Sequence, residues 1–286
     1  METCCYLCGT ASGKLRHQGV RDNTLIDVLE CSECGLVYLS SFDHISDDYY
    51  EQSMMLGGVV DLDQYRLRSL NDDTRRLTTI KEEAIDKTIL DFGCGGGGFL
   101  SMIKPFVQCA AGVELDNTIR NSLRQEGLQV FASIDEIEGQ YDYITLFHVL
   151  EHLPDPAAIL GRLKNHLSPK GKIIIEVPSA NDALLKLYGS DKFAKFTYWS
   201  CHLFLFTPET LTKTAINAGF KVKYVKQVQR YPLSNHLHWL AEQRPGGHQE
   251  WSFLNDVQLN QAYEKQLASI GMCDTLFTCL MIDDVK

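Results

Sequence analysis

Ile89-Leu90-Asp91-Phe92-Gly93-Cys94-Gly95-Gly96-Gly97-Gly98-Phe99 runs from an apolar strand through an acid into a glycine-rich turn and the start of a helix. Glycines in such a turn let the backbone adopt left-handed dihedrals and pass close beneath a ligand. A second apolar run, Ala110-Ala111-Gly112-Val113, ends on Glu114, at the distance from Asp91 where a carboxylate can accept from both ribose hydroxyls. Together they predict a strand-turn-helix-strand unit that holds a nucleoside. A nicotinamide dinucleotide shares this logic, but the loop reads D-x-G-x-G-x-G rather than G-x-G-x-x-G. Asp91 would repel a pyrophosphate and attract a ligand that carries positive charge on sulfur and nitrogen. The expected cofactor is S-adenosylmethionine, held by Asp91, Gly93, Cys94, Gly95, Gly97, Glu114 and Leu115.

Outward from this unit, short apolar runs alternate with amphipathic helical stretches: TILDFG, CAAGVEL, YDYITLF and KIIIEVP, with FKVKYVKQV and TLFTCLMI as candidate last strands. Such alternation predicts an α/β fold with a doubly wound, mostly parallel sheet covered by helices on both faces. Ligands bind outside the carboxyl ends of such strands. Phe147 and His148, which end the third run, are therefore expected at the methionine end of the cofactor, and Ser133 and Ile134 beside the adenine. Glu151 and His152 follow, and can also be a structural pair tying a helix start to the sheet.

Toward the N-terminus, Cys5-Tyr6-Leu7-Cys8-Gly9 and Cys31-Ser32-Glu33-Cys34-Gly35 form two CxxCG units. Each pair of thiolates can reach one ion, with the glycine permitting the tight turn behind it. Cys5, Cys8, Cys31 and Cys34 would close a tetrahedral shell with no open position, so a structural zinc is expected; Cys4 is an alternative to Cys5. The segment between the units reads as a short hairpin.

The expected organisation is a zinc-ribbon module at 1–41, helices over 42–87 with apolar positions Tyr65, Leu67, Leu70, Leu77 and Ile80, and a catalytic domain at 88–286 with an insertion at 229–274. With 44% hydrophobic and 22% charged residues the composition is that of a globular protein, and no run of about 18 apolar residues exists to span a bilayer. METCCYLCG has no secretory pattern, so a cytoplasmic location is expected. A formal net charge of −10 argues against a partner gripped through phosphates.

The motifs CYLCG, CSECGLVYL, DDYYEQ, ILDFGCGGGGF, GVELD, FHVLEHLPDPAAIL, LSPKGKIIIEVPSAND and CHLFLFTPETLTKTAINAGF resemble those of bacterial class I methyltransferases with an N-terminal zinc ribbon, which modify sugars, polysaccharides and natural products. The resemblance covers residues 4 to 225 and implies a seven-stranded Rossmann-like methyltransferase sheet with S-adenosylmethionine on the glycine loop and Glu114. It extends to sugar C-methyltransferases, in which a histidine and a tyrosine four residues earlier serve deprotonation; here these are His202 and Tyr198. It touches quinone-type O-methyltransferases through LEHLPDP alone, with His148 where those carry an acid.

Methyl transfer from a sulfonium needs alignment and, for a hydroxyl or carbon acid, a base. Histidine suits that role near neutral pH. The expected base is His202 with Tyr198 orienting it or the substrate, and His148 in reserve; His202 can equally be a core histidine before a helix capped by Thr207. The insertion, with Arg230, Tyr231, Asn235, His236, His238 and Trp239, reads either as a lid over a polar acceptor such as a sugar or as a packed cover for the sheet. The main expectation is a methyltransferase acting on a small molecule or glycan precursor. The competitors are an RNA methyltransferase holding nucleic acid through its ribbon, and a non-enzymatic zinc-ribbon interaction protein.

Overall fold

A computed structural model describes residues 4–46, 49, 51 and 61–282. Most of DDYYEQ, and the stretch 52–60 of the expected helical segment, lie outside the described residues. The apolar runs form the large sheet: β4 (Thr88–Phe92), β5 (Cys109–Val113), β6 (Gln129–Phe131), β7 (Tyr141–Phe147), β8 (Leu167–Pro178), β10 (Phe220–Val228) and β11 (Thr275–Ile282). The order is β10-β11-β8-β7-β4-β5-β6, parallel from β8 to β6 and antiparallel where β11 joins β8 and β10. The chain leaves β4 toward β5 on one side and returns as β7 on the other, so the strand order reverses at β4 and opens a crevice at its carboxyl end. This is a Rossmann-like, doubly wound arrangement, with helices around a mixed seven-stranded sheet.

A second sheet contains β1 (Gly13–His17), β2 (Val28–Cys31) and β3 (Val37–Leu39), with Gly13 opposite Cys31 in the hairpin. Its fourth strand comes from far along the chain: β9 (Phe204–Leu205) pairs antiparallel with β3, placing Tyr38 opposite Phe204. Apolar packing is continuous across this seam. Leu7, Val28, Leu36 and Tyr38 share one buried cluster with Phe204, Phe206, Leu150 and the β8 residue Ile175. Tyr6 reinforces it by donating to Asp155 Oδ1 at 2.6 Å and accepting from the Ala157 amide at 3.0 Å, at the start of α4 (Pro156–Leu163).

Among the described residues before the large sheet there is one helix, α1 (Leu62–Ala84), which buries Ile80 as expected but differs from the expected inward face at other positions. Leu67 and Leu70 point to solvent, whereas Asp73, Arg76, Ile80 and Ala84 are buried. Charge accounts for the difference: Arg75 and Arg76 both bind the fully buried carboxylate of Glu176 near the end of β8, and rotating the apolar residues inward would strand it. The insertion forms α8 (Leu233–Glu242), a short turn α9 (Gly247–Glu250) and α10 (Val257–Ser269), with Trp239 packed edge-on against Phe193 of α6 (Asp191–Thr197).

Phe204 is fully buried at the junction of the two sheets, with Tyr6 at 5.2 Å and Phe42 at 5.3 Å between ring centroids. Phe204→Ala should lower stability by about 3–5 kcal/mol, since truncating a buried aromatic leaves a cavity. Chemical denaturation measures it. A loss below about 1 kcal/mol would show that the two sheets do not share a core.

Candidate active site and four-cysteine centre

The glycine turn is closed by its neighbours. Gly93 and Cys94 both donate to the Val113 carbonyl at 2.9 Å, and Glu114 Oε2 accepts from the Gly95 amide at 2.8 Å. Gly93, Gly95 and Gly97 take φ of 76°, 50° and 70°, the left-handed region open to glycine at little cost. At Gly93 a Cβ would also lie 2.5 Å from Val149. Glu114 accepts from the Asp116 amide through its other oxygen, at 2.8 Å, so its carboxylate is fixed at the end of β5. Cys94 is buried against Gly112, and Leu115 stands exposed beyond Glu114. Ser133 caps the 3₁₀ turn Ile134–Glu136 after β6, with Ile134 buried.

Asp91 is buried at the floor of this crevice, accepting from Thr145 Oγ1 at 2.7 Å. Burial outweighs that bond and pushes its carboxyl up to about 7. Phe147 meets Phe99 edge-on at 5.0 Å, with the Arg76 guanidinium 4.6 Å from its ring centroid. His148 follows in the left-handed region at φ 56°, which turns its ring between two fully buried carboxylates. Nδ1 lies 3.1 Å from Glu151 Oε1, and Nε2 lies 3.3 Å from Glu176 Oε1. Burial disfavours both anions, yet His148 holds Glu151 down to about 2, and His148 with Arg76 and Arg75 holds Glu176 well below the usual range.

His202 lies in the segment between α6 and β9. Its ring sits among His152, at 5.0 Å, and Trp199, at 5.5 Å, and burial lowers its imidazole to about 3. Tyr198 accepts from Arg16 Nε at 2.7 Å through its hydroxyl and packs on His17. Glu151, His152 and His202 bring ligand-type atoms within 4.8 Å of one another, and Glu151 Oε2 is buried with no hydrogen-bond partner. The polar residues of the insertion bond within the insertion or to α1. His236 meets the Tyr263 hydroxyl at 2.8 Å, His238 meets the Arg244 carbonyl at 2.9 Å, and Arg230 pairs with Asp72.

Two contributions escaped the sequence reading. Tyr65 of α1 lies over the turn, so that a Cβ on Gly95 would be 2.6 Å from its hydroxyl, and Arg66 donates to the Gly96 carbonyl at 2.7 Å. The packing of α1 on the turn leaves no local mark in the sequence. Glu176 did leave one: a lone acid inside the apolar run KIIIEVP is a buried charge that demands a partner.

The sulfurs of Cys5, Cys8, Cys31 and Cys34 all lie within 4.8 Å of one another, with Cys5 to Cys34 and Cys8 to Cys31 at 3.5 Å. A tetrahedral ion with sulfur ligands at about 2.3 Å requires edges of about 3.8 Å, so the four thiols fit such an ion. The two knuckles repeat the same turn: Gly9 donates to the Cys5 carbonyl and Gly35 to the Cys31 carbonyl, with φ of 73° and 76°. Cys4 is exposed and outside the group.

Comparison with known proteins agrees with this architecture and corrects one expectation: the likeness to quinone-type O-methyltransferases is not confined to LEHLPDP but runs over more than half of the chain. Residues 62–225 match the family model described as a methyltransferase domain. A ubiquinone biosynthesis O-methyltransferase of Psychrobacter cryohalolentis is 23% identical over 71% of this chain and 88% of its own length. Its counterpart from Psychrobacter arcticus is 28% identical over 54% of this chain and 67% of its own length. Among solved structures, an S-adenosylmethionine-dependent methyltransferase from Thermotoga maritima superposes with a TM-score of 0.51 at 18% identity, over 78% of this chain and 96% of its own. A cyclopropane synthase from Mycobacterium tuberculosis gives 0.50 at 17% identity, over 73% and 83%. With more than half of its length matched to the family model, the chain belongs to the methyltransferase-domain family and is a class I S-adenosylmethionine-dependent methyltransferase.

Proposed function

We propose that the chain transfers a methyl group to a hydroxyl of a small molecule, a sugar or glycan precursor, with His148 as the base. The observation that carries this reading is the position of His148, directly after β7 in the crevice, with Glu151 orienting its ring. When bound, S-adenosylmethionine supplies a methyl group on an activated leaving group. In this reading the Glu114 carboxylate accepts from the ribose hydroxyls, Asp91 meets the ammonium, Gly93, Cys94, Gly95, Gly97 and Leu115 line the nucleoside, Ser133 and Ile134 flank the adenine, and Phe147 closes the methionine end. To take the acceptor proton as the new bond forms, the His148 ring is neutral, with Nδ1–H donating to Glu151 and Nε2 turned from Glu176 toward the acceptor hydroxyl. His202, buried among His152 and Trp199, serves the packing of its segment, and Tyr198 is held by Arg16.

The sugar reading is supported by the zinc-ribbon motifs shared with sugar-modifying enzymes. A phenolic quinone precursor is the second reading, supported by the names of the relatives at 23% and 28% identity. Labelled methyl transfer to a panel of nucleotide sugars and dihydroxybenzoates, with the product atom assigned, separates them. Label on a sugar hydroxyl supports the first, and label on the aromatic ring oxygen overturns it.

His148→Gln should reduce turnover by about 100-fold or more, the usual contribution of a general base, and leave S-adenosylhomocysteine affinity within about twofold. His202→Gln should cost less than about tenfold. The opposite ranking would return the role to His202.

Asp91 generates a pH dependence. Its carboxyl, raised to about 7, keeps a proton in the ligand-free protein at acid pH, so a ligand ammonium must drive that proton off. Affinity for S-adenosylhomocysteine should therefore rise about tenfold or more between about pH 5.5 and 7.5, and Asp91→Asn should flatten the curve. A flat profile in the unmodified chain would remove Asp91 from the ammonium site.

The four cysteines hold a structural zinc in this reading, closed to substrate and without a catalytic step. Elemental analysis should find about one zinc per chain, lost in Cys31→Ser. Metal-free protein prepared without chelator would overturn it.

A further inference from the structure

Residues 198–203, Tyr-Trp-Ser-Cys-His-Leu, connect α6 to β9 without regular structure, so their backbone groups need partners elsewhere. Those partners come from two sides. From the N-terminal side, the Arg21 amide donates to the Tyr198 carbonyl at 2.9 Å, and the Leu39 amide to the Leu203 carbonyl at 3.1 Å. Asp22 accepts twice from Ser200, from its amide at 3.0 Å and its hydroxyl at 2.6 Å. His44 Nε2 donates to the Ser200 carbonyl at 2.8 Å, and the Arg21 guanidinium lies 4.2 Å from the Trp199 ring centroid. From the catalytic side, His152 Nδ1 donates to the Cys201 carbonyl at 2.7 Å, and the Leu203 amide donates to the Glu151 carbonyl at 2.9 Å.

The segment is thus strung between the cysteine module and the 3₁₀ turn Leu150–His152 that orients His148. We propose that the cysteine module is the positioning wall of the methyl-transfer site, and that Asp22 is the positioning residue through which it acts. Asp22 fixes Ser200, the segment 198–203 fixes the turn at 150–152, and the turn sets the ring of His148. The proposal rests on His148 as the base and deepens that reading; its Asp22 arm does not depend on the metal.

Amide hydrogen exchange of the full chain, with metal content and S-adenosylhomocysteine calorimetry on the same samples, tests it. Asp22→Ala should speed exchange at both 198–203 and 148–152 by about tenfold, as the loss of two charge-assisted bonds implies. The glycine turn at 91–98 should stay protected, and the ligand affinity should stay within about twofold. Asp22→Asn, which keeps one acceptor oxygen, should fall between Asp22→Ala and the unmodified chain. Stripping the metal should reproduce the pattern of Asp22→Ala. Loosening of 198–203 without 148–152 would overturn the coupling, as would no change at either segment. Loosening that includes 91–98 would overturn it by showing a general loss of stability. A normal exchange pattern in Asp22→Ala paired with a turnover loss in His148→Gln would sink this proposal and leave His148 as the base.

Discussion

The site depends on a closure between two neighbouring strands. The amides of Gly93 and Cys94 converge on the carbonyl of Val113, and the Gly95 amide on the carboxylate of Glu114, so the turn after β4 is folded against the end of β5. Each bond is modest, about 1 kcal/mol, but three of them on three consecutive residues fix a backbone that glycine alone would leave free. Because β4 is where the strand order reverses, this closure also sets the floor of the crevice, and the residues after β7 and β8 are placed relative to it. The cofactor reading and the base assignment both build on that geometry.

A second constraint comes from buried charge. Glu176, Arg75, Arg76, Asp73 and His148 form a network behind the crevice in which every acid has a basic neighbour. Removing one partner from such a set costs more than the pair is worth, because the remaining charge stays buried. The network therefore specifies which face of α1 meets the sheet, against the preference of Leu67 and Leu70 for the interior.

The parts of this fold that can be read in the sequence are those written in local pattern. Apolar runs announced β4, β5, β7, β8 and β11, where burial on both faces leaves a near-continuous signature, and a run interrupted by lysines announced β10, half-buried at the sheet edge. β6 and β9 are three and two residues long and leave none. The face of α1 was readable only in part: Ile80 is buried as its spacing suggests, but Asp73 and Arg76 are buried charges, and the Arg76 partner Glu176 lies a hundred residues away. At the candidate site, the glycine turn, Glu114, His148 and the four cysteines were visible by spacing. Tyr65, Arg66 and Glu176 depend on packing between distant segments, and only Glu176 carried a hint. The pairing of β3 with β9, which joins the cysteine module to the catalytic side, is likewise a tertiary fact with no local trace.

The central claim is that this crevice was built for a nucleoside with a sulfonium and no phosphate. Side-by-side calorimetry with S-adenosylhomocysteine and with a nicotinamide dinucleotide tests it most directly. Saturable binding of one S-adenosylhomocysteine per chain, with no heat from the dinucleotide, is the predicted result. Tight dinucleotide binding without S-adenosylhomocysteine binding would contradict it.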